Sequence, residues 1–205
     1  MLITSTDAFL IIDLQHDFMP GGALAVTGGD EIISPIAALG ARFEHVILTQ
    51  DWHPPGHISF ASTHKAPAFS TTSLPYGPQI LWPDHCVIGS TGAALAHTFD
   101  KAELIIRKGF HAHTDSYSAF LEADRVTHTG LAGYLRERGF KRLFLAGLAT
   151  DFCVAFSALD ASAAGFETYV LEDCCRAINQ DGSLAAAWNN MARAGVKRIS
   201  SKDLR

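Results

Sequence analysis

The stretch RLFLAGLATDFCVAFSALDASAAG, residues 142–165, decides the fold. It begins with seven mostly apolar residues, the length of a strand that is buried on both faces. It passes through the polar pair Thr150–Asp151 and continues with helix-forming residues to a glycine at position 165, where a helix can end. A strand followed at once by a helix is the repeating unit of parallel α/β proteins. Cys153 lies at the predicted start of this helix.

Similar units occur along the rest of the chain. Five other apolar runs cover residues 8–15, 45–51, 103–109, 168–173 and 196–201. Helical spacing occurs at residues 30–43, 131–140 and 181–195, with Gly139 as a C-cap and Asp181 as an N-cap. We therefore predict one α/β domain over residues 1–205, with three α/β/α layers and a mostly parallel sheet of about six strands.

Composition limits the function classes. With 48% hydrophobic residues among 205, the chain can bury a sizeable core. The net charge is -5 and no basic block occurs, so we expect no nucleic-acid or anionic-membrane partner. No export signal and no membrane-spanning apolar run is visible. The four cysteines lack disulfide-type spacing. These features predict a cytoplasmic protein with reduced thiols.

Reactive residue types follow several predicted strands. Asp13 ends the first strand, Lys108 the third, and Cys153 follows the fourth. Because the carboxyl ends of parallel strands share one edge of the sheet, these side chains should converge there. A helix N-terminus and an ammonium both stabilise a thiolate, and a carboxylate can carry its proton. An isolated cysteine is more often a core residue, but three such residues at three strand ends favour a catalytic site.

Residues 51–89 form a long stretch without periodicity, which usually means function. We predict a metal-binding loop insertion here. Its candidate ligands are Asp51, His53, His57, His64 and His85. A mixed nitrogen and oxygen set suits zinc, iron or manganese. The spacing does not decide between His57 and His64, and surface histidines without metal are the alternative.

Three aromatic residues lie close to these positions in the sequence: Phe18, Trp82 and Tyr117. Aromatic residues are usually core, but beside a catalytic edge they can enclose a flat ring. We therefore predict that they bind the substrate. The neighbours of the cysteine, Phe152 and Val154, are expected only to pack.

The chain resembles the nicotinamidases of the isochorismatase-like cysteine hydrolase superfamily. The matching segments are IIDLQHDFMPGGALAV, LTQDWHPPGHISFAS, LWPDHCVIGS, IIRKG, DSYSAF, AGLATDFCV and EDCCRAI, in the expected order across the whole chain. The resemblance implies hydrolysis of nicotinamide to nicotinate and ammonia through a cysteine thioester, in NAD salvage. It also implies activity on pyrazinamide, and such hydrolases often form homo-oligomers.

The resemblance also implies roles for single residues. Asp13 matches the acid/base, Lys108 the lysine of the triad, and Cys153 the nucleophile. The backbone amides of Ala149 and Cys153 match an oxyanion hole that follows a cis Leu148–Ala149 bond. Phe18 and Trp82 match ring-binding aromatics.

One divalent transition metal is also implied, with zinc as the first expectation and iron or manganese as alternatives. Asp51, His53 and His85 match its ligands, and His57 matches a fourth ligand of some members. One departure is His16, where the family usually has Asn.

Three other functions remain open on the sequence. A zinc-hydroxide hydrolase would not need the cysteine. A relative with the same triad could act on isochorismate, a carbamoyl amine or a ureido acid, but these need no pyridine anchor. A non-catalytic binding protein of the same fold would leave the matched Cys153, Asp13 and Lys108 without a role.

Overall fold

The computed structural model describes residues 1–205 and contains eight strands and five α-helices. The strands are β1 Asp7–Ile12, β2 His45–Asp51, β3 Thr71–Leu74, β4 Gly77–Ile80, β5 Ala102–Lys108, β6 Arg142–Leu148, β7 Glu167–Arg176 and β8 Lys197–Ile199. The helices are α1 Ile33–Gly40, α2 Ala61–His64, α3 Leu131–Glu137, α4 Ala155–Ala163 and α5 Ser183–Arg193.

Six strands form one parallel sheet in the order β5-β2-β1-β6-β7-β8. Each of the six predicted apolar runs is one of these strands, so the predicted fold class is confirmed. β1 and β6 are the central pair, and every residue of β1 is buried. This explains the continuous apolar runs, because a strand covered on both faces has no side for polar residues.

Helices cover both faces of the sheet and create two apolar clusters. Alternate residues of β1 point to opposite faces, so Phe9 joins one cluster and Leu10 the other. The first cluster has 25 buried residues and includes the inner side of α1. The second has 22 and includes residues of α3, α4 and α5. The sheet is therefore the middle of three layers.

The central pair β1–β6 is in close contact at both ends. At the start, Arg142 donates to both carboxylate oxygens of the buried Asp7, at 2.7 and 2.6 Å. At the end, Ile12 is opposite Gly147, which has a φ of +124°. A Cβ at Gly147 would lie 2.1 Å from the carbonyl oxygen of Ile12. Only glycine allows this approach.

The insertion at residues 51–89 is more regular than the sequence predicted. It contains α2 and the antiparallel hairpin β3–β4, which turns near Gly77 at a φ of +123°. The hairpin was not predicted, because its strands have four residues each and few apolar side chains.

One of three predicted helix caps is wrong. Gly165 follows α4 with a φ of +92°. Gly139 follows α3 with a φ of +75°, as expected for a glycine after a helix end. Asp181, however, has a φ of +50° and caps nothing, because Gly182 is the residue before α5 and no side chain caps it.

The four cysteines are all free and buried. No helix combines the length and the apolar character that crossing a bilayer requires.

Candidate active site

The three predicted catalytic side chains meet at the carboxyl edge of the sheet. Asp13 directly follows β1, Lys108 is the last residue of β5, and Cys153 lies in a π-helical turn before α4. The Nζ atom of Lys108 lies 2.8 Å from Asp13 Oδ2 and 3.3 Å from Cys153 Sγ. All three residues are at most 6% exposed. The ammonium group therefore lies between a carboxylate and a thiol that water hardly reaches.

Lys108 is held in its charged form. Burial acts to lower its pKa, but the carboxylates of Asp13 and Asp51 outweigh burial and raise the pKa well above its ordinary value. Its ammonium also donates to Asp51 Oδ1 and to the carbonyl of Ser116, the latter at 3.1 Å. A charged lysine with fixed partners orients Asp13 and favours a thiolate when one forms.

The two oxygens of Asp13 have different surroundings. Oδ1 accepts a hydrogen bond of 2.5 Å from the Thr49 hydroxyl. Oδ2 lies beside the Lys108 ammonium but accepts no well-aligned hydrogen bond. Burial, with the charge of Asp51, raises the pKa of Asp13. This makes Asp13 a stronger base than an exposed carboxylate, with Oδ2 available for a proton.

Cys153 keeps its proton in the resting site. Burial raises the pKa of its thiol well above the ordinary value, although Lys108 acts in the opposite direction. The sulfur and the carboxylates of Asp13 and Asp51 have atoms within 4.8 Å of one another. The thiol therefore becomes a nucleophile by giving its proton to a neighbour as it reacts.

The turn before Cys153 offers an unused backbone donor. The Leu148–Ala149 peptide is cis. The backbone N–H of Ala149 donates no hydrogen bond within the protein, and Ala149 lines the same cavity as Cys153. A free amide beside a nucleophile is what an oxyanion hole requires.

Asp51, His53 and His85 form a group that can hold a divalent metal. The Oδ2 atom of Asp51 lies 3.7 Å from Nε2 of His53 and 3.7 Å from Nε2 of His85. The Nδ1 atoms of the two histidines lie 2.8 Å from the carbonyls of Gly109 and Pro83 respectively. If each Nδ1–H donates a hydrogen bond to its carbonyl, the lone pair of Nε2 is left to bind a metal, which is the arrangement of metal-binding histidines. One carboxylate and two imidazoles suit a transition metal.

His57 lies beside this group, with its ring centre 4.3 Å from that of His53. Its Nδ1 is 2.7 Å from the Ser59 hydroxyl, and its Nε2 is 3.1 Å from the carbonyl of His111. Burial lowers the pKa of His57 to about 4, so the ring is neutral at pH 7. The structure does not bring His57 into the group of Asp51, but His57 forms a second possible ligand group with His53 and Asp115, whose ligand atoms lie within 4.8 Å of one another.

The structure does not bring His64 to the group either. Its Nε2 lies 2.7 Å from the carbonyl of Ile58. His111 points elsewhere too, because its Nδ1 pairs with Glu122 at 2.6 Å.

A cavity opens above Cys153. It is lined by Phe18, Leu24, Asp51, His53, Trp82, His85, Asp115, Tyr117, Ala149, Phe152, Cys153 and Ile178. The three predicted aromatics are all among them. Trp82 donates its indole N–H to the Tyr117 hydroxyl at 2.9 Å and meets Phe152 edge to face, with ring centres 4.9 Å apart. Phe152 therefore does more than pack, contrary to expectation, because its ring forms part of the wall.

Sequence reasoning missed Leu24, Asp115 and Ile178 as cavity residues. Asp115 is buried and accepts a 2.8 Å hydrogen bond from Gln79. None of them ends a predicted strand. All three lie in segments that carry the resemblance, IIDLQHDFMPGGALAV, DSYSAF and EDCCRAI, but the resemblance gave no role to any of them.

A sequence model of the isochorismatase domain matches residues 7–203. The chain belongs to the isochorismatase family. Within this family it is similar to the nicotinamidase of Acinetobacter baylyi, with 56% identity over 96% of this chain and 94% of the relative. The predicted resemblance is thereby confirmed.

Comparison with solved structures supports the same family assignment. The nicotinamidase and pyrazinamidase of Acinetobacter baumanii has a TM-score of 0.96 and 52% identity, over 98% of both chains. The pyrazinamidase of Pyrococcus horikoshii in complex with zinc has a TM-score of 0.80 and 34% identity, over 95% of this chain and 99% of that one.

Proposed function

We propose that the protein is a nicotinamidase, which hydrolyses the carboxamide of nicotinamide to give nicotinate and ammonia. The observation that carries the proposal is the contact of Lys108 with both Asp13 and Cys153, at the floor of an aromatic cavity. The similarity to nicotinamidases over nearly the whole chain supports the same substrate. We also propose pyrazinamide as a second substrate, and NAD salvage as the process served.

The first half of the reaction is acyl transfer to sulfur. Asp13 takes the thiol proton, and the sulfur of Cys153 attacks the carboxamide carbon. The carbonyl electron pair moves onto oxygen, where the amides of Ala149 and Cys153 stabilise it. In other hydrolases, removing one such donor costs about 3–4 kcal/mol. The C–N bond then breaks, and Asp13 returns the proton to the departing ammonia.

The second half releases the acid. Asp13, again a carboxylate, takes a proton from a water molecule that attacks the thioester carbon. The C–S bond breaks, nicotinate leaves, and the proton returns to the sulfur of Cys153. Lys108 stays charged throughout, and it orients Asp13 and offsets the negative charge that moves between carboxylate and sulfur.

Asp51, His53 and His85 are proposed to hold one divalent metal, with zinc as the first candidate and iron or manganese as alternatives. A metal held by these residues would supply Lewis-acid character toward the pyridine nitrogen of the substrate. The aromatic walls at Phe18 and Trp82 would hold the ring between them. The zinc complex of a pyrazinamidase with 34% identity supports zinc.

The decisive test is ammonia release from nicotinamide by the purified protein, between pH 6 and 8 with metal supplied. We expect Cys153→Ala to lose the activity by several orders of magnitude, because it removes the nucleophile. Cys174→Ala is the matched control, since Cys174 is a buried thiol on β7, outside the cavity lining.

The outcomes separate the alternatives. If Cys153→Ala turns over normally while chelation stops the reaction, the protein is a zinc-hydroxide hydrolase. Release from a ureido acid but not from nicotinamide would indicate another substrate class of the same family. No ammonia release under any of these conditions would contradict the proposal.

A further inference from the structure

Asp151 is a buried carboxylate that lies two residues before Cys153 but has no part in the proposed chemistry. It is 5% exposed. Its oxygens accept hydrogen bonds from the backbone N–H of Ile178 at 3.1 Å and of Asn179 at 2.7 Å, and from the Ser183 hydroxyl. All three donors belong to residues 178–183, the segment that we call the β7–α5 loop and that includes Ser183, the first residue of α5. The turn that carries the nucleophile is thus bonded to a distant part of the chain.

The β7–α5 loop has an unusual backbone. Asn179 has a φ of +55°, Asp181 of +50° and Gly182 of +83°. Asn and Asp adopt a left-handed conformation more readily than other non-glycine residues, but still at a cost that the surrounding contacts offset. No side chain of the loop caps α5. The carboxylate of Asp151 is therefore a principal contact that fixes the loop.

The β7–α5 loop supplies one wall of the cavity. Ile178 lines it together with Cys153. The loop also contacts the insertion at residues 51–89, because the side chain of Gln180 donates to the carbonyl of Phe69 at 3.2 Å. The loop therefore runs between the nucleophile turn and the insertion, and Asp151 fixes its first two residues.

We infer that Asp151 is a positioning residue, which sets Ile178 against the substrate ring and thereby controls substrate affinity more than the rate of the chemical step. Asp151 touches no reacting atom. It acts through the backbone of Ile178 and Asn179. The inference rests on the proposed nicotinamidase activity and adds a determinant of specificity to it.

The first test compares Asp151→Asn with wild type in nicotinamide hydrolysis. An amide group keeps the size of the carboxylate but turns an N–H toward one of the backbone donors. We expect KM to rise about 5- to 20-fold, the effect of one or two lost hydrogen bonds, with kcat changed less than about threefold. Ser183→Ala removes a single bond and should raise KM in the same direction by less.

The matched control is Asp160→Asn. Asp160 is also 5% exposed and lies on α4, where it pairs with Arg125 away from the cavity. This variant should lower thermal stability and leave KM unchanged. If Asp151→Asn behaves in the same way, its role is only structural and the inference is wrong.

A double-mutant cycle gives the sharper result. If Asp151 acts through Ile178, then Asp151→Asn and Ile178→Ala should have much the same effect on KM, and combining them should add little. If the increase in KM of the double variant equals the product of the increases in the two single variants, the inference is wrong. A wild-type protein without nicotinamide activity would instead contradict the proposed function. Direct binding of nicotinamide to the Cys153→Ala background measures the same affinity change without turnover.

Discussion

At the scale of single residues, the Thr49 hydroxyl affects the pKa of Asp13, the proposed general base. It donates to Asp13 Oδ1 and is one of the contacts that lower the pKa of Asp13 against the effect of burial. We predict that Thr49→Val, which keeps the shape but removes the hydroxyl, raises the pKa of Asp13. The acid limb of kcat/KM should then move to higher pH, because the carboxylate takes up its proton earlier. A pH–rate profile measures this.

Thr49→Ser provides the control for that change, since it keeps the hydroxyl and should restore the wild-type acid limb. A loss of stability of about 1–2 kcal/mol is expected for the valine variant alone. If the two variants share one pH profile and differ only in stability, Thr49 does not tune Asp13.

Strand ends made part of the site predictable from sequence. Asp13, Lys108 and Cys153 each follow an apolar run, and the geometry of a parallel sheet brings such positions together. Ile178 and Asp115 could not be found in this way, because loops bring them to the cavity and loop paths leave no periodic pattern. The resemblance already implied Asp51, His53 and His85 as ligands, and the structure places these three together while His57 and His64 lie outside their group.

At the scale of elements, the contact between β1 and β6 places the base beside the nucleophile. Gly147 on β6 touches Ile12, the residue before Asp13. We predict that Gly147→Ala forces the two strands apart, because its Cβ would lie 2.1 Å from a backbone oxygen that cannot turn away. Activity should fall at least about 100-fold, as expected when catalytic groups are displaced by 1 Å. Steady-state kinetics and thermal melting measure the two effects.

Gly195→Ala is the control for that strand contact. Gly195 also has a positive φ, of +81°, but nothing lies within 4 Å of the Cβ position. The Gly195→Ala variant should be less stable by only about 1–2 kcal/mol, the cost of a left-handed conformation for alanine, and should keep its kcat. Equal losses of activity in both variants would mean that backbone strain, and not the strand contact, is responsible.

The strands were predictable and some element ends were not. A run such as residues 142–148 is apolar because both faces are covered. The strands of the β3–β4 hairpin are not covered on both faces, and along the four residues of β3 exposed side chains alternate with half-buried ones. Asp181 looked like a helix cap, but it has a φ of +50° and Gly182 is the residue that precedes α5.

At the scale of the whole molecule, a bound metal should stabilise the fold. Lys108 lies beside the buried carboxylates of both Asp13 and Asp51, and a bound metal would add positive charge at Asp51. We predict that chelation lowers the melting temperature and abolishes activity, and that zinc restores both. At a free zinc concentration of about 100 Kd the gain is about 2.7 kcal/mol, or roughly 5–10 °C for a chain of this size. Differential scanning fluorimetry with metal titration measures it.

Two histidine variants test which residues hold the metal. His85→Ala should show no zinc-dependent shift, because it removes a proposed ligand. His64→Ala should keep the full shift, because its ring bonds to the carbonyl of Ile58 and not to the group. A shift lost in both variants, or in neither, would mean that the metal is held elsewhere.

The pairing of β1 with β6 also determines when the enzyme can assemble during translation. β1 is complete after residue 12, but its neighbour on one side begins only at residue 142. Until that segment leaves the ribosome, the strand that precedes Asp13 has an open edge, and an open apolar edge invites pairing with other chains. A nascent chain stalled before residue 142 therefore lacks both the nucleophile and the strand that shields the base. Chaperones would meet this chain as an unfinished sheet until residue 142 has been synthesised.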